Sequence, residues 1–171
     1  MAGIVRADTF RMNTIKSQDS DVTAMNISNT GNVLLPNRPS FMFRFTGANW
    51  TNNSSLAGSY SSTLVDQGSP SITWDDATGR LTVPLTGLYF ITFGILSNAS
   101  GGRIEGSLFH NRGATSTQVV NFNGTGSTYD GPTFTVVYPA IANDYFTITE
   151  YSGTAYASAH SQNYFGATFL G

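Results

Sequence analysis

Residues 88–96 read LYFITFGIL, and neither face of a strand built from them suits water. In an extended chain successive side chains alternate between faces. Tyr89, Ile91, Phe93 and Ile95 therefore share one side, and Leu88, Phe90, Thr92, Gly94 and Leu96 the other. Residues 164–170 repeat the pattern, with Phe165, Ala167 and Phe169 set against Tyr164, Gly166, Thr168 and Leu170. An antiparallel sandwich strand ordinarily keeps one wet face. Each fully buried apolar side chain contributes roughly 1.5–3 kcal/mol, and several left in water on one strand make an aggregation-prone patch. One face must pack a core. The other must be covered by the chain's own loops or by a neighbouring copy, and the neighbouring copy is the more economical answer.

The rest of the chain agrees with a β fold. Among 171 residues there are 22 Thr, 19 Ser and 14 Asn but only two Glu and one Lys. Ser, Thr and Asn compete with helical backbone bonding and favour strands and turns. The 18 glycines have no three-residue period, so they supply turns rather than collagen. Short strand signals recur at spacings of roughly eight to twelve residues, the mark of a sandwich or barrel. SFMFRFT places Phe41, Phe43 and Phe45 on one face. SITWDDATGRLTVP offers two short strands around the turn Asp75–Gly79, IEGSLFHNRG ends in a turn at Asn111–Gly113, and FTVVYPAIANDYFTITEYSG holds two more strands. GANWTNNSSLAGSYSS reads as a polar loop.

Pro36-Asn37-Arg38-Pro39 forms a stiff extended hinge across which no helix can run. It divides an N-terminal stem, residues 1–38, from a head, residues 39–171. The stem is a string of strand-like pieces, Ile4–Phe10, Asp21–Ile27 and Asn32–Leu35, with AMNISNTGNVLLP reading as a hairpin that turns at Asn29-Thr30-Gly31. One copy cannot bury its few apolar residues against itself, whereas three copies around a common axis could.

Several kinds of chemistry are disfavoured. The absence of cysteine removes disulfide scaffolds, thiol catalysis and thiolate metal sites. With 18 charged residues and a net charge of -2, the chain has no basic field to hold nucleic acid. No secretory signal and no membrane-spanning window is expected. Asp75 and Asp76 are adjacent carboxylates, but neighbours on an extended backbone point apart, so turn capping is the expected role. With Asp66, Asp130 and Asp144 they lack the spacing of a calcium loop. His110 and His160 stand 50 residues apart and indicate no triad. No catalytic residue, metal ligand or cofactor is expected. Aromatic side chains in polar loops suit sugars, which bind by stacking and neutral hydrogen bonds. Trp50, Asn52, Tyr60 and Tyr129 are the candidate ligand contacts; Trp74, beside Ile72 and a turn, is expected in the core.

From about residue 40 to residue 171 the chain resembles the trimeric globular head of the complement 1q and tumour necrosis factor superfamily. TWDDATGRLTVPLTGLYFITFGIL carries the likeness through Gly79, Gly87, Tyr89 and Phe93, and GSLFHNRG through Leu108 and Asn111. YPAIANDYFTITEYSG adds Ile141, Asp144 and Phe146, and NYFGATFLG adds Phe165, Gly166 and Leu170. Asn143 stands where the family has glycine, and Asn tolerates the same left-handed turn. No collagen-like stalk precedes the head. The resemblance implies an all-β, ten-stranded antiparallel jelly-roll sandwich, assembled as a homotrimer, whose first and last strands lie side by side near the threefold axis. Phe41, Phe43, Phe90, Tyr164, Phe165 and Phe169 are the expected trimer-interface residues.

The stem resembles the N-terminal part of small tailed-phage fibre proteins, those of cyanobacteria and marine bacteria in particular, through pieces such as ADTFRMNTIKS and MNISNTGNVLLPNRPSF. That resemblance implies a virion structural protein: a trimeric fibre bound to a capsid or tail protein through residues 1–38, its head facing outward to a host cell-surface glycan or protein. A capsid decoration or cement protein is the alternative.

Overall fold

The computed structural model describes residues 14–16, 23–27, 33–34, 38–46, 55–96, 103–124, 131–152 and 161–171. The chain divides into two compact units, Met1–Asn37 and Arg38–Gly171. In the first, β1 (Thr14–Lys16), β2 (Thr23–Ile27) and β3 (Val33–Leu34) form a three-stranded antiparallel sheet. Asn26 pairs with Leu34 and Ile27 with Val33, the pairing the hairpin reading requires. The turn Asn29–Gly31 and the piece Ile4–Phe10 lie outside the described residues.

Among its described residues the second unit has ten strands in two antiparallel five-stranded sheets and no helix. One sheet has the order β11 (Thr133–Ala140), β8 (Gly87–Gly94), β13 (Tyr164–Phe169), β4 (Ser40–Phe45), β5 (Tyr60–Gln67). The other runs β10 (Thr115–Asn123), β9 (Glu105–Arg112), β12 (Tyr145–Ser152), β7 (Arg80–Thr82), β6 (Thr73–Asp75). The first and last strands of the unit, β4 and β13, are hydrogen-bonded neighbours, Phe41 opposite Ala167 and Phe43 opposite Phe165. This is the jelly roll expected from the resemblance. Tyr60–Ser62, read as loop in the sequence, instead extend β5, with Tyr60 opposite Phe45 and Ser62 opposite Arg44.

The core lies between the sheets. Phe43, Phe45, Tyr89, Ile91, Phe93 and Phe165 come from one side, and Leu81, Leu108, Phe146 and Ile148 from the other; each is fully buried. Aromatic rings fill it by offset packing: Phe45 stacks on Phe93 at 5.7 Å between centroids, and Phe93 also meets Phe122 at 4.9 Å. Trp74 packs on Phe43 at 4.4 Å, which puts one side of it in the core, as expected. The Tyr89 hydroxyl donates to the Leu85 carbonyl at 2.8 Å, so its polar tip is satisfied at the rim.

The turns follow their chemistry. The Asp75 carboxylate accepts from the Ala77 amide at 3.0 Å and from the Thr78 hydroxyl at 2.6 Å, and Gly79 has φ +68°. Asp75 therefore caps the β6–β7 turn, and the Thr78 hydrogen bond lowers its pKa. Asn143 has φ +71° and makes the left-handed bend in place of glycine.

Three strand positions assigned to the trimer interface are corrected by this packing. Phe41, Phe43 and Phe165 point inward and are 8%, 0% and 0% exposed within a single chain. Phe169 shares their parity, and its ring packs on Tyr89 at 5.2 Å, half-buried. Period two puts alternate residues on opposite faces, so Phe43 and Phe90 cannot serve one surface. Only Phe90 and Tyr164 of the six stand on the outward side.

Candidate functional site

The outward face of the β11-β8-β13-β4-β5 sheet is the most unusual surface of the head. Cross-strand register builds it row by row. Val137, Phe90, Thr168 and Ser40 stand opposite one another in one row, and Thr135, Thr92, Gly166 and Met42 in the next. Pro139 pairs with Leu88, and the Leu170 amide donates to the Leu88 carbonyl at 2.8 Å, so Leu170 continues that row. Leu88, Phe90, Val137 and Leu170 are 45%, 38%, 52% and 36% exposed. The described outward positions of β11, β8 and β13 carry no charged residue; on β4 the only one is Arg44. The polar groups here bond to each other: Ser40 Oγ and Thr168 Oγ1 lie 2.7 Å apart. Thus the doubly apolar β8 has its first face in the core, and its second, at Leu88 and Phe90, is not covered by the described residues.

Two glycines shape this face. A Cβ on Gly94 would fall 2.5 Å from the Tyr164 ring, so that ring lies flat across β8. A Cβ on Gly166 would fall 2.5 Å from the Phe41 carbonyl oxygen and 2.8 Å from Met42 Cα. Glycine at 166 therefore lets β13 and β4 close up.

At one end of the sandwich the β11–β12 turn brings Asp144 against β9. Its carboxylate receives Arg112 Nη2 on Oδ2 at 2.8 Å, Arg112 Nε on Oδ1 at 3.0 Å and the Ile141 amide on Oδ2 at 2.9 Å. His110 Nε2 lies 2.7 Å from Oδ2, its ring between Tyr138 and Phe146. Burial pushes the Asp144 carboxyl up, but the bonds from Arg112, Ile141 and His110 outweigh it and hold the pKa at about 2. Sequence spacing concealed this group, because 34 residues separate His110 from Asp144 and only the β9–β12 register joins them. Beside it opens a cleft of about 610 Å³, lined by His110, Arg112, Thr115, Tyr138 and Ile141 among others. Ile141 is 42% exposed there.

Of the candidate ligand contacts, Tyr60 stands at the start of β5, 40% exposed. Trp50, Asn52 and Tyr129 lie outside the described residues. Among the described residues, Trp74 and Asp76 join Tyr60 across the side of the sandwich between β5 and β6. Among the described residues no group of three or more His, Asp or Glu could hold a metal ion, and no helix is long and apolar enough to cross a membrane.

No family model and no curated protein sequence matches the chain. Solved structures do. The Eiger TNF of S. frugiperda superposes with a TM-score of 0.66 at 13% identity, over 79% of this chain and 94% of that one. Murine APRIL at pH 5.0 gives 0.60 at 12% identity, over 78% and 99%. The globular domain of zebrafish complement 1qA gives 0.55 at 17% identity, over 78% and 96%. The head thus has the fold shared by tumour necrosis factor and complement 1q domains.

Proposed function

We propose that this protein is a non-enzymatic virion component, a trimeric phage fibre whose jelly-roll head faces outward and contacts the host surface. The observation that carries the trimer is the exposed apolar patch of Leu88, Phe90, Val137 and Leu170 on the sheet that contains both β4 and β13. Heads of the superfamily it resembles associate in threes around this sheet. Covering that face with sister chains removes several apolar side chains from water, at roughly 25 cal/mol per Å² of apolar surface. The scarcity of charge there fits such contact, since an unpaired charge at a closed interface is expensive. Arg112 and Ile141, at the rim of the neighbouring cleft, are further candidates for contact between copies.

Attachment to a capsid or tail protein is assigned to residues 1–38, on the likeness of that segment to phage fibre stems. Sedimentation of the purified chain tests the trimer, and a single compact copy at micromolar concentration overturns it. Labelled electron microscopy of particles tests the fibre: projections at the vertices or tail support it, and many copies on lattice sites of the shell identify a decoration protein instead.

A further inference from the structure

We infer that the cleft between β5 and β6 is a carbohydrate site that takes one neutral pyranose unit, the reading resting on the assignment of the head as the host-contacting part. Among the described residues this side of the sandwich is open, and residues of β4, β5, β6 and the segments flanking β6 line a cleft of about 400 Å³, within the roughly 300–1,000 Å³ of small-molecule sites.

Its construction is that of a sugar platform. Tyr60 and Trp74 border it, both partly exposed. Each is anchored on Phe43, at 5.8 Å and 4.4 Å between ring centroids, so neither ring has to be ordered when a ligand arrives. Asp76 Oδ1 accepts from the Tyr60 amide at 2.9 Å and from Trp74 Nε1 at 3.3 Å, which ties the two aromatic positions to one carboxylate. The Tyr60 hydroxyl lies 2.7 Å from Thr63 Oγ1. Asp66, Ser71 and Thr73 complete the polar lining.

The chemistry selects the ligand. Pyranose C–H faces pack on aromatic rings, and sugar hydroxyls donate to carboxylates and exchange bonds with threonine and serine. Among the described residues two carboxylates line the cleft and no Lys or Arg does, so sialic and uronic acids, phosphates and nucleic acid are repelled. Edge-strand residues that point toward a core are ordinarily apolar; here Thr63 and Asp66 hold such places opposite Phe43 and Phe41. A site that binds hydroxyls accounts for them.

The test uses the full-length protein titrated with the methyl glycosides of glucose, galactose, mannose and N-acetylglucosamine, and with glucuronic and sialic acid as acidic probes. Calorimetry and tryptophan fluorescence report binding. Saturable binding of at least one neutral glycoside is expected, with no response to the acids. Tyr60→Ala and Asp66→Asn each weaken it about tenfold, and both variants sediment like the parent. Silence across the neutral panel overturns the site, as does preference for an acidic sugar or undiminished binding by both variants. Particle imaging distinguishes the two failures: a fibre that binds no sugar retires this site alone, and a sugar-binding protein absent from particles retires the virion reading alone.

Discussion

Asp144 shows what one buried carboxylate does for this head. It is 2% exposed, yet it keeps its charge because Arg112, His110 and the Ile141 amide all face it. Its folded pKa of about 2 lies below the ordinary 3.8. A carboxyl with a depressed folded pKa stabilises the native state above its unfolded pKa, and that stability is lost as the pH falls through the folded value. The drop from 3.8 to about 2 corresponds to about 2 kcal/mol. Urea denaturation followed from pH 5 to pH 2 should show that loss in the parent and a flatter profile in Asp144→Asn. Asp144→Ala, which strands His110 in an apolar end of the core, should cost about 3 kcal/mol at neutral pH. The sequence displayed Asp144 within a familiar segment but hid its partners, because a histidine and an arginine on another strand become neighbours only through register.

At the scale of the strand, β8 and β13 carry two different surfaces each, and one-residue parity decides which substitution does what. Phe165 is fully buried between the sheets, so Phe165→Glu should abolish the cooperative unfolding transition of the head. Phe90, opposite Thr168 three rows along, stands on the outward side at 38% exposure. Phe90→Glu should retain the β-sheet circular dichroism of the parent while breaking association, since three carboxylates would crowd a closed interface unpaired. The close pairing of β13 with β4 gives a further test. Gly166→Ala drives a methyl group to 2.5 Å from the Phe41 carbonyl oxygen, and the strands must part. That should cost about 1–3 kcal/mol by chemical denaturation. Alternation in residues 88–96 and 164–170 revealed that both faces are largely apolar. It did not say which face looks inward, because period two is symmetric until a turn or a neighbouring strand sets the sense.

For the whole molecule, the proposal that sister chains cover the open face sets the oligomeric state. The parent should sediment as three copies at micromolar concentration, and Phe90→Glu as one. Its aromatic core accounts for a stable single head, so the variant should stay folded rather than precipitate; circular dichroism beside sedimentation separates these outcomes. The likeness to solved tumour necrosis factor and complement 1q domains rests on 12–17% identity. At that distance what is shared is the fold, and any ligand has to be argued from surfaces peculiar to this chain.

The amino-acid sequence alone determined the all-β class, a sandwich or barrel of short strands, the capped Asp75 turn and the two strands that are apolar on both faces, whereas the ten-strand jelly roll and the left-handed bend at Asn143 were expected from the family resemblance. Each of the former is local: a period of two, a turn residue, a short run of side chains. Tertiary structure decided that Phe41, Phe43 and Phe165 belong to the core and Leu88, Phe90, Val137 and Leu170 to the open face. It also joined His110 to Asp144 and set Tyr60 beside Trp74. Those juxtapositions depend on strand register and sheet order, which bring together residues far apart in the chain and leave no periodic trace along it.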